Sequence, residues 1–465
     1  MKLMSPDADF PALNCCPLRF QAIHRPDGIA VQLDSEQITF RQLDQWVEAS
    51  CQSYCEQGLN KGDRLLFVTS RPLDTVVTAL ACLRSQWIFC PINPALPTEQ
   101  REGYQQRIEA ALVAGSMDIS QLPSEHELQP IEVLPEAIYD LVATSGTTAV
   151  PKAVAHSYSN HYFNARGAST VLPLTCGDRW LLSLPLFHVG GLAIVVRCLL
   201  AGATMVVVAG GKTPLDDMVT RQRITHLSLV NTQLFRLLQS GVSLYDSSLK
   251  YILLGGGVAA PRLVKAARDQ GITVLTTYGM TEMASQICTG EPQFTDRGVT
   301  SGRVLPWREV ALSERGEILV RGKTLAKGYY AHGDLSPLAD TDGWFHTGDK
   351  GLWLNEQIQL FGRMDNMMIS GGENIHPEEI EQALLTLPTI VQAVVVAKAD
   401  DEFGQRPVAY VQTLDGTLDE ALIKQQLTAT IARFKVPTHI RLFPEAVSES
   451  GIKPNRRFFQ ALEQS

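Results

Sequence analysis

The stretch Thr144-Ser145-Gly146-Thr147-Thr148-Ala149-Val150-Pro151-Lys152 is where groups able to do chemistry are densest. It offers hydroxyls, a glycine and a lysine in close succession. Such a loop can turn hydroxyls and backbone N–H groups onto one anion while the lysine supplies full positive charge. That is what holding a triphosphate requires. The spacing is not that of a GxxxxGK[ST] loop, and the stretch by itself also reads as a polar surface loop. Arg197 is a second chemical signal, because it interrupts the apolar run 192–200. An unpaired guanidinium there would cost on the order of several kcal/mol, so it must snorkel to water, meet a structural carboxylate or meet a bound anion. Asp349, in Thr-Gly-Asp, reads alone as a turn residue, and Lys453 as a solvated surface charge.

The elements that must position these residues follow from periodicity. The apolar run 139–143 is a strand leading into the first stretch, and 157–171 is a helix after it. A hairpin is expected around Asp34-Ser35. Further strands are expected at 64–69, 87–92, 180–185, 204–209, 225–230, 251–254 and 273–277. Helices are expected at 40–57, 72–84, 97–110, 192–200, 215–222, 232–240 and 261–269. This alternation predicts a parallel sheet covered by helices. Three strands run into unusual residues: 180–185 into Leu186-Phe187-His188-Val189-Gly190-Gly191, 251–254 into Gly255-Gly256-Gly257, and 273–277 into Tyr278-Gly279-Met280-Thr281-Glu282. Open α/β sheets bind ligands at the carboxyl ends of their strands. From Glu317 the pattern changes to short strands (317–321, 344–347, 351–354, 359–361), which reads as a small β-subdomain. A polar, glycine-containing hinge, 363–372, precedes helices 377–387 and 418–433 and strands 391–397, 408–414 and 439–442.

A chain of 465 residues exceeds one compact core. Its 45% hydrophobic and 19% charged residues are those of an ordinary globular protein. The net charge of -9 argues against a general nucleic-acid binder, so an anionic ligand must be met by local cations. Of nine cysteines, Cys51 and Cys55 share a helix face, but no neighbouring Cys or His completes a zinc set. Reduced thiols are expected. The first twenty residues lack the apolar region of a signal peptide, and no apolar run is long enough to span a bilayer. The expected location is cytoplasmic, with no membrane insertion.

The motifs TSGTTAVPK (144–152), LPLFHVGG (184–191), YGMTE (278–282), HTGD (346–349), GRMDNMMISGGENIHPEEIE (362–381) and GIKPNR (451–456) occur in this order across nearly the whole chain. Together they resemble the adenylate-forming superfamily of acyl-CoA synthetases, nonribosomal adenylation domains and luciferases. The resemblance implies an α/β fold: a large N-terminal domain, 1–363, of helix-covered sheets plus the β-subdomain, and a smaller mobile α+β C-terminal domain, 364–465. It implies a carboxylic acid, ATP with Mg²⁺, and a thiol, usually CoA, as the reacting partners. It places the pyrophosphate cradle at Thr144, Ser145, Gly146, Thr147, Thr148 and Lys152, and the Mg²⁺ carboxylate at Glu282. Thr281 would contact the α-phosphate and Tyr278 the adenine. Gly255, Gly256 and Gly279 would line the nucleotide, while Asp349 and Arg363 would hold the ribose. Asp365 matches the hinge, Lys453 the lysine of the adenylation step, and His188 a group that orders the acid pocket. Two residues depart from the family pattern. Ala149 stands where glycine is usual and Pro454 where a β-branched residue is common.

A narrower resemblance rests on WLLSLPLFHVGG (180–191), the helix containing Arg197, HLSLVNTQLFRLL (226–238) and ISGGENIHPEEIE (369–381). It points to ligases whose acid carries an aromatic carboxylate, a keto group and an aliphatic carboxylate. It implies Arg197, Ser228 and Gln286 as contacts for that acid. Alternatives are a ligase for another aromatic or medium-chain acid, a stand-alone adenylation enzyme loading a carrier protein, and a non-catalytic nucleotide sensor. Retention of Lys152, Glu282, Asp349 and Lys453 argues against the sensor. A homo-oligomer stays open.

Overall fold

Short β-branched runs between amphipathic helices bury their strands on both faces, and the helices supply the cover. The computed structural model describes residues 10–34, 36–115, 128–144, 150–207, 214–245, 247–296, 298–444 and 456–463. A thirteen-stranded sheet has a parallel centre, with Ile29–Leu33, Thr204–Val207, Arg179–Leu181, His226–Leu229, Tyr251–Leu254 and Thr273–Met280 adjacent in that order. Beyond Thr273–Met280 the pairing turns antiparallel, through Ser285–Gly290 to Gln357–Arg363, Phe345–Leu354 and Glu317–Gly322. A second, seven-stranded sheet holds Leu112–Ala114, Arg64–Val68, Ile88–Ile92 and Ile138–Thr144 in parallel, followed by antiparallel Lys152–Ser157 and Gly328–Ala331. The buried helices Pro72–Ser85, Tyr158–Ala168 and Val189–Ala201 contribute to one apolar core that reaches strands of both sheets.

The final part has its own five-stranded sheet, built from Met368–Ser370, Glu373–Ile375, Ile390–Asp400, Gly404–Thr413 and His439–Leu442. Helices Pro377–Thr386 and Glu420–Thr428 contribute Ile380, Leu384, Ile423 and Leu427 to its core. That core continues into the larger part. Leu234 and Leu237 of helix Asn231–Gln239 and Leu263 and Val264 of helix Pro261–Asp269 belong to the same apolar cluster as Ile390 and Val395. Gln392 Nε2 donates to Thr232 Oγ1, and an Arg262 guanidinium N–H donates to the Ile390 carbonyl across the same seam.

Several elements differ from the periodicity. The segment Lys152–Ser157 is a strand, and the following helix, Tyr158–Ala168, begins only after it. Ser157 ends the strand and caps the helix by accepting from the Asn160 N–H, so its position reads locally as a helix start. The strand expected at 180–185 covers only Arg179–Leu181, and the helix after it begins at Val189. The strand expected at 273–277 continues to Met280, because Tyr278, Gly279 and Met280 pair with Cys288, Gln286 and Ser285. The runs 344–347 and 351–354 are one strand, Phe345–Leu354, with an irregularity at Lys350 and Gly351. The helix expected at 418–433 is shorter, Glu420–Thr428. Strands Ile390–Asp400 and Gly404–Thr413 form an antiparallel pair, so only His439–Leu442 has the parallel pairing of a crossover module. All nine cysteines are free thiols. Among the described residues no helix is long and apolar enough to cross a membrane.

Candidate functional site

Thr144 and Lys152 close the base of one hairpin, where they are register partners of the strands Ile138–Thr144 and Lys152–Ser157. Ser145, Gly146, Thr147, Thr148 and Ala149, with Gly451, Lys453 and Pro454, lie outside the described residues. The exposed Lys152 ammonium sits 4.7 Å from the centre of the Tyr329 ring, on the neighbouring strand Gly328–Ala331. The Tyr329 hydroxyl donates to Glu282 Oε1 at 2.8 Å. Burial and the adjacent carboxylate push the Tyr329 pKa up, so the phenol stays a donor. Lys152, Tyr329 and Glu282 therefore form one polar wall. Sequence reasoning missed Tyr329, since it lies 47 residues from Glu282 and no local spacing marks it.

Glu282 is in the short turn Thr281–Met283, closed by Ala284 at φ 52°. A single carboxylate beside a threonine hydroxyl is a hard oxygen set, suited to Mg²⁺ that takes its other ligands from phosphates and water. Glu282 would hold the ion in that way, with Tyr329 orienting its other oxygen. Tyr329→Phe should keep the ring under Lys152 and lose the donor. We expect about a tenfold lower rate of pyrophosphate release and a raised Mg²⁺ requirement, on the scale of a hydrogen bond to a charged group. A magnesium titration of pyrophosphate release in both proteins checks this, and superimposable curves would leave Tyr329 with a packing role only.

A second group collects at the far end of the Thr273–Met280 strand. Tyr278 Oη donates to Asp349 Oδ2 at 2.7 Å. Asp349 and Arg363 are register partners, 3.5 Å apart at their charged ends. Arg363 also donates to the Thr347 carbonyl at 2.8 Å and to both Asp365 oxygens at 3.0 Å. These hydrogen bonds to Asp365, reinforced by Asp349, raise the Arg363 pKa despite partial burial, and Arg363 in turn lowers that of Asp365. Asp365 occupies the turn Met364–Asn366, next to the start of the final sheet. Gly255 and Gly256 follow strand Tyr251–Leu254. Gly256 has φ 78°, and a Cβ there would lie 2.9 Å from Val230, so the close turn requires glycine. A Cβ on Gly279 would approach the Ser285 carbonyl to 2.1 Å, which reserves that position for glycine as well.

The third group surrounds helix Val189–Ala201. Helix Val189–Ala201 starts after His188, which is exposed and packs edge-on to Phe187 at 4.7 Å. Arg197, two turns on, is 5% exposed. Its guanidinium donates to Gln286 Oε1 and to Asn164 Oδ1 and lies 5.5 Å from the centre of the Trp180 ring. These partners are neutral, and among the described residues no carboxylate pairs with it. Burial pulls its pKa down to about 10, which leaves it charged at neutral pH. Gln286 Nε2 is held by Thr289 Oγ1 at 2.6 Å. Asn164 donates to the carbonyls of Met283 and Gln286 at 3.2 and 3.0 Å, so one buried amide links Arg197 to the turn carrying Glu282. Ser228 is buried on strand His226–Leu229, and its Oγ has no hydrogen-bond partner among the described residues. The structure thus joins Arg197 directly to Gln286, while Ser228 stands on a separate strand. Asn164 and Trp180 were not foreseen, because neither residue type marks a site by itself.

The geometry thus brings three groups together: the polar wall of Lys152, Tyr329 and Glu282, a carboxylate–guanidinium cluster behind a tyrosine, and a buried guanidinium whose hydrogen-bond partners are neutral. Comparisons with known proteins identify the family. The AMP-binding enzyme family matches residues 18–132 and 109–330, and the AMP-binding enzyme C-terminal domain matches 379–450. The 2-succinylbenzoate–CoA ligase of Escherichia coli (strain K12) is 36% identical over 442 residues, covering 93% of this chain and 95% of the relative. An E. coli MenE variant solved with bound OSB-AMS has a TM-score of 0.85 at 32% identity, covering 96% and 97% of the two chains. The o-succinylbenzoate CoA synthetase of Bacillus subtilis, solved with the acyl-adenylate intermediate OSB-AMP, has a TM-score of 0.81 at 28% identity over 92% of this chain and 94% of that one. The same enzyme solved with ATP and a magnesium ion also gives 0.81, at 27% identity over 92% and 96%. With most of its length matched in this way, the chain belongs to the AMP-binding enzyme family.

Proposed function

We propose that this protein is an AMP-forming acid–thiol ligase that joins 2-succinylbenzoate to CoA through an acyl-adenylate, in menaquinone biosynthesis. The observation that carries the choice of acid is Arg197: a buried guanidinium whose partners are all neutral. A buried cation without a carboxylate is costly unless an anion meets it, and 2-succinylbenzoate brings a second carboxylate in addition to the one that reacts. The 36% identity to a 2-succinylbenzoate–CoA ligase over 93% of the chain supports the same acid.

In the first half-reaction a carboxylate oxygen of the acid attacks the α-phosphorus of ATP, a P–O bond forms, and pyrophosphate leaves with the electron pair of the bond that breaks. No proton need be taken, because a carboxylate is already ionised near neutral pH. The work is positioning and charge neutralisation. Lys152 and the Thr144–Thr148 hydroxyls would hold the departing pyrophosphate. Thr281 would hold the α-phosphate, Asp349 and Arg363 the ribose, and Tyr278 the adenine. When bound at Glu282, Mg²⁺ supplies charge neutralisation to the phosphate oxygens. Lys453 would approach the reacting oxygens from the C-terminal part, which we take to begin at residue 364 and to rotate about Asp365. In the second half-reaction the CoA sulfur attacks the acyl carbon and AMP leaves. The apolar helix bearing Arg197 and the buried Ser228 and Gln286 would hold the acid in place through both steps, with His188 at the mouth. We place the protein in the cytoplasm, where ATP and CoA are available.

A thioester assay with ATP, Mg²⁺, CoA and a panel of 2-succinylbenzoate, benzoate and octanoate tests the proposal. Selective turnover of 2-succinylbenzoate is expected. Preference for benzoate or octanoate would overturn the choice of acid and return Arg197 to a structural role. Turnover only with a carrier protein in place of CoA would overturn the thiol acceptor.

A further inference from the structure

Asp140, His156 and His161 form a cluster beneath the phosphate-side wall, with their ligating atoms within 4.8 Å of one another and all three side chains buried. Asp140 Oδ1 faces His156 Nδ1 at 2.7 Å, and Oδ2 faces His161 Nε2 at 2.6 Å. Each carboxylate oxygen is thus taken by one ring nitrogen at hydrogen-bond length, which accounts for the cluster without an ion. The other nitrogen of His156, Nε2, lies 2.7 Å from the Thr281 carbonyl oxygen. A carbonyl only accepts, so Nε2 carries a proton and donates it. The ionised Asp140 carboxylate also accepts, so the ring donates from both sides. Burial opposes charge on both residues, yet the contacts within the cluster outweigh it: His161 and His156 together hold the Asp140 carboxyl at about 2, and Asp140 raises the His156 pKa.

This bond joins two places that are 125 residues apart. His156 lies on strand Lys152–Ser157, which begins with the lysine at the base of the phosphate-side hairpin. Thr281 opens the turn that presents its own hydroxyl and Glu282. Among the described residues the imidazole is a direct polar tie between the Lys152 strand and that turn. We propose that His156 is a positioning residue for the phosphate end of the nucleotide, holding the Thr281 carbonyl so that Thr281 meets the α-phosphate in register with Lys152 at the phosphates beyond it. The proposal rests on the nucleotide reading of Thr281 and is independent of the acid.

Two amide variants separate the two ends of the ring. In His156→Asn the side-chain N–H₂ reaches Asp140 and not Thr281, whereas in His156→Gln it reaches the Thr281 carbonyl. Binding of AMP and of adenosine is measured by calorimetry in EDTA, so the reading does not depend on metal or turnover. We expect His156→Asn to weaken AMP by about tenfold or more, His156→Gln by no more than about threefold, and adenosine to change by less than about twofold in both, on the scale of one hydrogen bond. AMP bound by His156→Asn as tightly as by wild type, or adenosine lost in the same proportion as AMP, overturns the proposal. Should His156→Asn fail to fold, His156→Gln decides: retained AMP affinity supports the tie, and a loss beyond about tenfold overturns it. Wild-type protein that binds no AMP would remove the nucleotide reading itself, and the role of His156 with it. The assignment of the acid would then be judged separately, by the thioester panel.

Discussion

Replacing Lys453 by alanine is expected to lower acyl-adenylate formation by on the order of 10³-fold, the scale seen when one preorganised charge donor is removed from a reaction that runs on positioning. Thioester formation from supplied acyl-adenylate should stay within a few-fold of wild type, because the second half-reaction breaks the bond to AMP without joining two anions. Pyrophosphate release measures the first step, and CoA thioester formed from synthetic acyl-adenylate measures the second. Arg456, three positions after Lys453 in the chain, is tied to the turn Met364–Asn366 through a shared carboxylate. Arg456 donates to Glu378 Oε1 at 2.9 Å and to Glu381 Oε2 at 3.1 Å, and Asn366 in the turn Met364–Asn366 donates to the same Glu378 oxygen at 2.6 Å. Glu378 thereby connects that turn to helix Arg456–Leu462. Normal pyrophosphate release by Lys453→Ala would remove the assignment.

Arg197→Met is expected to act on the acid alone. The methionine retains much of the apolar stem beside Trp180 and deletes the charge. Losing a charge-assisted contact to a buried carboxylate costs about 2–3 kcal/mol, so kcat/KM for 2-succinylbenzoate should fall roughly 30- to 150-fold. KM for ATP should move less than about twofold, since uniform nucleotide binding is untouched. Benzoate, which lacks the second carboxylate, should be used no worse than by wild type. An equal loss on benzoate would show that Arg197 only braces Gln286 and Asn164.

What was legible in the chain follows the range of the interactions. Strand 139–143 announced itself because a short apolar run is a local signal. The returning strand Lys152–Ser157 did not, since its end doubles as the cap of helix Tyr158–Ala168 and its partner Gly328–Ala331 comes far later in the chain. Tyr278–Met280 was expected in a loop and is strand, because Ser285–Gly290 folds back onto it through a turn that uses positive φ at Ala284 and Ser285. Arg197 was conspicuous as a charge in an apolar helix. That it would meet Gln286 and Asn164 depends on the packing of helices Tyr158–Ala168 and Val189–Ala201 against strand Ser285–Gly290, which no spacing encodes. Tyr329 and His156 belong to the same class of residue: ordinary types, placed at the site by sheet topology.

The apolar seam that joins Leu234, Leu263, Ile390 and Val395 has a thermal consequence. If the final sheet rotates between half-reactions, those side chains must meet water each time it leaves this orientation. Exposing such surface raises the heat capacity, and the attraction that buries it weakens on cooling. The balance between the orientations should therefore shift with temperature along a curve rather than a straight line. Arrhenius plots of overall turnover should bend at the cold end even where each chemical step, followed separately, stays linear.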